Sequence, residues 1–320
     1  MIGRRTFIKA ASMAAVAATT AGVTMREGAA QTVPNSSGTA PPKLKAPANA
    51  CDCHHHIYDP ARFAMVPTPG RPAPANGSMA EYRMLQKRIG TTRHVVVQPR
   101  NYGTENEVTI DALKQANGNA RGVAVVLPTI SDADLRRFND AGVRGIRFSI
   151  GDPKSRVVQP EMIEPLAKRV ADMGWHLQFN MEADQVVELA EVLRRLPTPL
   201  VFDHLGNPTL PAGTEHPSHA IILGLIDKGK TWVKLSGAYS NTKVGPPDYP
   251  DATKIAQAFV KAAPERLVWG SDWPHPTMVD TKPDDAVLFD LMTVWVPDEK
   301  MRNRILVNNP ETLYGFPRTA

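Results

Sequence analysis

Cys51-Asp52-Cys53-His54-His55-His56-Ile57-Tyr58-Asp59-Pro60 reads as a first β-strand that runs directly into histidines and a turn. An open, doubly wound sheet usually carries a Gly-rich phosphate loop after its first strand; none stands here. Seven further short, β-branched or apolar runs follow: His94–Gln98, Gly122–Val126, Gly145–Ser149, His176–Asn180, Leu200–Asp203, Trp232–Ser236 and Leu267–Gly270. Helical patterns lie between them, at Met79–Ile89, Val108–Ala116, Asp132–Ala141, Glu161–Met173, Asp184–Leu196, His219–Lys228, Ala252–Ala262 and Asp284–Val294. Ser131-Asp132 is a capping signal at one helix start. Strand–helix alternation over this length implies a parallel sheet. Eight units fit an α/β fold of the closed (β/α)8 TIM-barrel type.

In such a barrel the active site forms at the C-terminal ends of the strands, and polar residues recur there. His54 and His56 are two apart on the first strand and so share a face; His55 points the other way, toward the helices. Gln98-Pro99-Arg100-Asn101-Tyr102-Gly103-Thr104-Glu105-Asn106 is either a binding loop or an ordinary polar loop. Gly145, Arg147 and Ser149 share a face of the fourth strand. An arginine inside a barrel must be paired or must bind an anion, because an unpaired buried charge is costly, and a guanidinium suits a carboxylate. Asn180 ends the fifth strand as a candidate substrate contact, while His176 at its start is structural. His204 follows the apolar sixth strand. Asp272 and His275 stand in Gly270-Ser271-Asp272-Trp273-Pro274-His275-Pro276, a turn stiffened by two prolines.

Composition narrows the function classes. Of 320 residues, 42% are hydrophobic and 22% charged, which is ordinary for a globular chain. Two cysteines exclude a disulfide framework and a Cys-rich zinc module. Two apart on a strand, Cys51 and Cys53 are poorly placed to bond to each other. The net charge of +5 lies partly in the first thirty residues, where Arg4, Arg5, Lys9 and Arg26 face Glu27 alone. A near-neutral remainder gives no reason to invoke nucleic acid or stable membrane association.

Those first residues read as an address. Gly3-Arg4-Arg5-Thr6-Phe7-Ile8-Lys9 precedes an uncharged Ala-rich stretch and the small residues Gly28-Ala29-Ala30. This describes a signal peptide of the twin-arginine type, with the twin-arginine export machinery as partner and the periplasm as destination. Residues 31–50, rich in Pro, Ser and Gly, are expected to form a flexible linker, and 51–316 the barrel.

His-x-His after strand one, His204 after strand six and Asp272 after strand eight resemble the amidohydrolase superfamily. Finer motifs point to one branch: Asp52-Cys53-His54-His55-His56, Val97-Gln98 with Tyr102-Gly103-Thr104-Glu105-Asn106, and Gly142-Val143-Arg144-Gly145-Ile146-Arg147-Phe148. Phe202-Asp203-His204-Leu205-Gly206, Trp232-Val233-Lys234, Trp269-Gly270-Ser271-Asp272-Trp273-Pro274-His275-Pro276 and Asn309-Pro310 extend the set. It is similar to the 2-pyrone-4,6-dicarboxylate lactonases, D-galactarolactone isomerases and sulfomuconolactone hydrolases, over residues 51–316.

The resemblance implies a distorted amidohydrolase-type barrel acting on lactones of carboxylic or sugar acids. It implies Asp272 as the general base that activates water, with His54, His56 and His204 polarising the lactone carbonyl or holding a cation. Arg147 would bind a substrate carboxylate, with Tyr102, Asn180 and His275 as further contacts. The dicarboxylate lactonases use several arginines. Here Pro153 and Lys154, Asn207, and Gly237-Ala238-Tyr239-Ser240-Asn241 occupy candidate positions for them, which favours a less charged lactone. The isomerases of the branch carry Asn where this chain has Asp272, and an acid able to deprotonate water favours hydrolysis. The bridging Lys or Glu and the fifth-strand His of binuclear members are replaced by Arg147 and Asn180. No metal is expected to be required. His54, His56, His204 and Asp272 are the ligand set if one divalent cation, such as zinc, is bound. The rivals are a lactone isomerase, a metal-dependent decarboxylase and a non-catalytic sugar-acid binding protein.

Overall fold

A computed structural model describes residues 32–67, 74 and 76–318. The expected signal peptide over residues 1–30 lies outside the described residues. Eight strands follow one another around a single sheet: β1 Cys51–His55, β2 Arg93–Val97, β3 Ala120–Ala124, β4 Val143–Ser149, β5 His176–Asn180, β6 Leu200–Phe202, β7 Thr231–Leu235 and β8 Leu267–Trp269. Each is parallel to the next, and helices connect them. The expected TIM barrel is the observed fold.

The barrel closes through the turn after β8. Asp272 N–H donates to His54 O at 2.7 Å, and His56 N–H to Trp273 O at 2.8 Å. The Asp52 carboxylate ties the same seam by accepting from Ser271 N and Oγ, His54 N and the Tyr82 hydroxyl. Gly270 permits the approach, since a Cβ there would stand 2.6 Å from Cβ of His54.

β1 carries an irregularity between Asp52 and His55. Cys51 and Cys53 pack with Val95, Val97, Val201 and Val268 in an apolar interior, and both thiols are free. The extra residue of a bulge resets which side chains face inward, so His54 and His56 turn into the barrel mouth above this plug. His55 faces helix α1 (Met79–Ile89), as the alternation requires; its ring stacks on Tyr82 at 3.6 Å and meets His94 Nδ1 at 2.8 Å.

Helix limits follow the caps. α1 starts at Ser78, whose side chain and Glu81 form a reciprocal capping box, and stops at Gly90 in the left-handed region. Its buried residues Met79, Tyr82, Leu85 and Ile89 make one stripe against the sheet. The helix expected over Asp184–Leu196 is two, Ala183–Glu188 and Ala190–Arg195, with the chain turning at Leu189. Helices at Glu299–Asn303 and Asn309–Tyr314, absent from the sequence reading, follow the last expected one. Glu311 of the second pairs with Arg93 at the start of β2, at 2.8 Å.

The expected linker is not free over residues 32–50. Lys43 and Leu44 N–H groups donate to Asp290, Pro34 O accepts from the Trp273 indole, and Arg88 reaches Ser37 O and Ala40 O. Val33 is buried. Composition suggested looseness, but backbone groups and one valine find partners on the barrel. Among the described residues no helix is long and apolar enough to cross a membrane.

Candidate active site

A cavity of about 630 Å³ opens at the C-terminal end of the barrel, lined by His56, Tyr58, Arg147, Asn180, His204 and Asp272 among others. Its size suits a small organic ligand. The four expected catalytic residues converge here from three places in the chain. The Nε2 atoms of His54 and His56 are 3.3 Å apart, and lie 3.4 and 3.3 Å from Oδ1 of Asp272. His204 Nε2 is 3.9 Å from Oδ2 of Asp272. Asp272 and His204 both have positive φ, 62° and 49°. Non-glycine residues held there cost of order 1–3 kcal/mol each and cluster at functional sites.

Each imidazole is held from behind. His56 Nδ1 meets Val97 O at 2.7 Å, and His204 Nδ1 meets Ser236 Oγ at 3.0 Å. Gly237, with φ 68°, lets its loop lie on His204, where a Cβ would come within 2.9 Å of the ring. His54 Nδ1 faces Lys234 Nζ at 3.2 Å and Asp203 Oδ1 at 3.2 Å.

Asp203 and Lys234 form a buried charge centre that sequence reasoning left without a role. Asp203 Oδ2 accepts from Arg147 Nε at 3.3 Å and Gln178 Nε2 at 3.1 Å. Lys234 Nζ donates to Gln178 Oε1 at 2.7 Å and lies 3.4 Å from Asp203 Oδ1. A signal existed: Lys234 sits on an apolar strand with inward parity, where a charge demands a partner. Tyr239, on the loop after β7, also escaped notice; its hydroxyl donates to Oδ2 of Asp272.

Arg147 is thus both paired and at the cavity wall. Asn180 lines the cavity as expected, bonded to Ser149 Oγ at 3.2 Å and accepting from Asn207 at 2.9 Å. Two expected substrate contacts do not reach it. Tyr102 is buried with its hydroxyl on the Asp59 N–H. His275 is buried against Asp285, at 3.1 Å, with its ring edge-on to Tyr239. The turn directions that aim these side chains away are set by tertiary packing, not by local sequence. Tyr58 takes the wall position instead.

The charge states follow from burial and neighbours. Burial, then the Lys234 charge, hold His54 well below the usual imidazole range; burial lowers His56 too. Both are neutral at neutral pH. Burial opposes ionisation of Asp272, but His204, His56 and His54 outweigh it and hold its carboxyl well below the usual range. Asp203 is likewise held low, with His54, Lys234 and Arg147 overcoming its burial. Lys234 itself is lowered by burial.

Two groups of three could by spacing hold a cation: His54, His56 and Asp272, and His54, Asp203 and His204. The first has the edge lengths of one face of a zinc tetrahedron with bonds near 2.0–2.1 Å, and Oδ1 of Asp272 is buried without a hydrogen bond. Its hydrogen-bond chemistry does not fit a metal. A ligating Nε2 must be bare, whereas an ammonium at Lys234, 3.2 Å from Nδ1 of His54, would leave the ring proton on Nε2. In the second group Asp203 is already matched by Arg147 and Lys234.

Comparison with known proteins agrees with this geometry. The amidohydrolase family model matches residues 51–316. The chain is 34% identical over 281 residues to the 2-pyrone-4,6-dicarboxylate hydrolase of Comamonas testosteroni, spanning 85% of this chain and 92% of that protein. It is 31% identical over 280 residues to the D-galactarolactone isomerase of Agrobacterium fabrum, spanning 87% and 94%. A crystal structure from Agrobacterium tumefaciens, 28% identical, superposes with a TM-score of 0.80 over 89% of this chain and 99% of that one. With its barrel, its paired first-strand histidines and its aspartate after the last strand, the chain belongs to the amidohydrolase family.

Proposed function

We propose that this protein is a periplasmic lactone hydrolase that opens the ring of a carboxylic- or sugar-acid lactone, with Asp272 as the base. The observation that carries the reading is the Asp272 carboxylate at the cavity wall, held well below the usual carboxyl range, with Oδ2 held by Tyr239 and Oδ1 facing His54 and His56. Water gives its proton to Asp272, and the hydroxide oxygen bonds to the lactone carbonyl carbon. His204 turns Nε2 toward the cavity, where an N–H would stabilise the oxyanion. The carbonyl re-forms, the ring C–O bond breaks, and the proton held by Asp272 passes to the leaving alkoxide. The product is the open hydroxy acid. Arg147 meets a carboxylate of the substrate. Among the described residues, Arg100 is a second guanidinium lining the cavity. No metal takes part in these steps.

Hydrolysis of a lactone and migration of its ring share a step in which an oxygen attacks the lactone carbonyl. They differ in whether water or a ring hydroxyl is the attacker. Asp272, which can deprotonate water, supports hydrolysis. Purified protein incubated with lactones of aromatic-cleavage products and sugar acids, followed by NMR, tests this. An open hydroxy acid is expected; a shifted lactone ring with no open acid would establish the isomerase instead.

A further inference from the structure

His54 Nε2, His56 Nε2 and Asp272 Oδ1 form a triangle with edges of 3.3, 3.4 and 3.3 Å. Each atom can present a lone pair, and three lone pairs at that range repel. A proton or a cation must stand among them. The two ends of a hydrogen-bond chain show which. Val97 O only accepts, so its 2.7 Å contact places a proton on Nδ1 of His56 and leaves Nε2 of the neutral ring bare. At the other end, Lys234 lies 3.4 Å from the Asp203 carboxylate, which favours its ammonium form, and an ammonium only donates. Its 3.2 Å contact makes Nδ1 of His54 an acceptor and puts the His54 proton on Nε2, facing the bare Nε2 of His56. The chain therefore runs one way, from Lys234 through His54 and His56 to Val97 O. Oδ1 of Asp203 lies 3.2 Å from the same Nδ1 but makes no hydrogen bond.

We propose that Lys234 is a positioning residue that reserves this triangle for a proton and keeps out a divalent cation. A metal-bound imidazole needs its ligating nitrogen bare and its other N–H on an acceptor. Lys234 imposes the reverse on His54. Asp203 is the acceptor a metal-bound His54 would use, and it stands within reach. Without the lysine, Nδ1 can carry the proton to Asp203 and Nε2 is freed for a metal. The positive charges of Lys234 and Arg147 raise the cost of a further cation at the same place. The inference goes beyond the hydrolytic reading and rests on it only for which site is at work; its test reads metal and tautomer, not turnover, so either can fail alone.

Chelator-treated wild type and Lys234→Met are titrated with Zn²⁺ by calorimetry. Lys234→Met is expected to bind one Zn²⁺ about tenfold to a hundredfold more tightly, the usual scale for partners behind a metal ligand. Equal affinity, or tight stoichiometric binding by wild type, overturns the proposal. A second readout needs no folded variant at position 234. In wild type with ¹⁵N-labelled histidine, His54 identified by its loss in His54→Gln, the proton is expected on Nε2. A proton on Nδ1 of His54 overturns the proposal.

Discussion

Tyr239 donates its hydroxyl to Oδ2 of Asp272, bridging the loop after β7 to the turn after β8. That bond leaves one carboxylate oxygen held while the other faces the two first-strand histidines. A hydrogen bond to a charged group is worth roughly 1.5–3 kcal/mol. Tyr239→Phe is therefore expected to lower kcat about tenfold to a hundredfold with little change in KM, because the substrate-facing cavity keeps its shape. Steady-state kinetics check it. A variant with wild-type kcat would show that the hydroxyl does not position the base.

Arg147 spends Nε on Asp203 and still borders the cavity. Arg147→Met is expected to raise KM strongly for acidic lactones and much less for a neutral lactone of the same ring size. Lys should restore only part, lacking the planar fork. Equal losses on both substrates would mean that the arginine serves Asp203 alone.

The barrel was legible because short apolar or β-branched runs closed by polar residues alternate with helical patterns, and because Ser131 marks a helix start. His54, His56, His204 and Asp272 stood out as polar groups just beyond apolar strands. Asp203 and Lys234 stand in the same motifs, yet their pairing through Gln178 spans β5, β6 and β7 and exists only once the sheet curls. His275 and Tyr102 show the converse limit: each lies beside site residues in sequence, but the turn rotates it onto Asp285 or the Asp59 backbone.

Stability should fall on mild acidification. Burial lowers His94 and His176 to about 3, against roughly 6.5 when unfolded. A base with a depressed folded pKa contributes stability that is complete above the unfolded value and lost as pH falls below it. Near pH 5.5 each costs roughly 1 kcal/mol. Asp52, raised to about 6 by burial, works the other way and returns somewhat less than that. His54, His55 and His56 are shifted in the same direction as His94. Urea midpoints are expected to drop between pH 7.5 and 5.5; a higher midpoint at pH 5.5 would contradict neutral burial of these rings.

The proposed export would rest on the paired arginines Arg4 and Arg5. Arg4→Lys with Arg5→Lys is expected to keep the protein out of the periplasm, and the exported form is expected to begin near Gln31. Fractionation with N-terminal sequencing checks both. Normal periplasmic accumulation of the double variant would sink the twin-arginine reading.

Asp272→Asn is the decisive substitution for the reaction. Asn keeps the shape and can still accept from Tyr239, but it cannot take a proton from water. The variant is expected to fold, to bind substrate and to lose hydrolysis by more than the roughly 10²–10⁴ usually assigned to general-base help, since in the proposed reaction Asp272 would also position the water. Where the protein stays folded, the wild-type rate should show no loss in the usual carboxylate range, since His204, His56 and His54 hold the Asp272 carboxyl well below it despite its burial. A lactone-migration activity surviving in Asp272→Asn would assign the site to isomerisation. Hydrolysis within a few-fold of wild type would remove Asp272 from the chemistry and leave the histidines to supply the base.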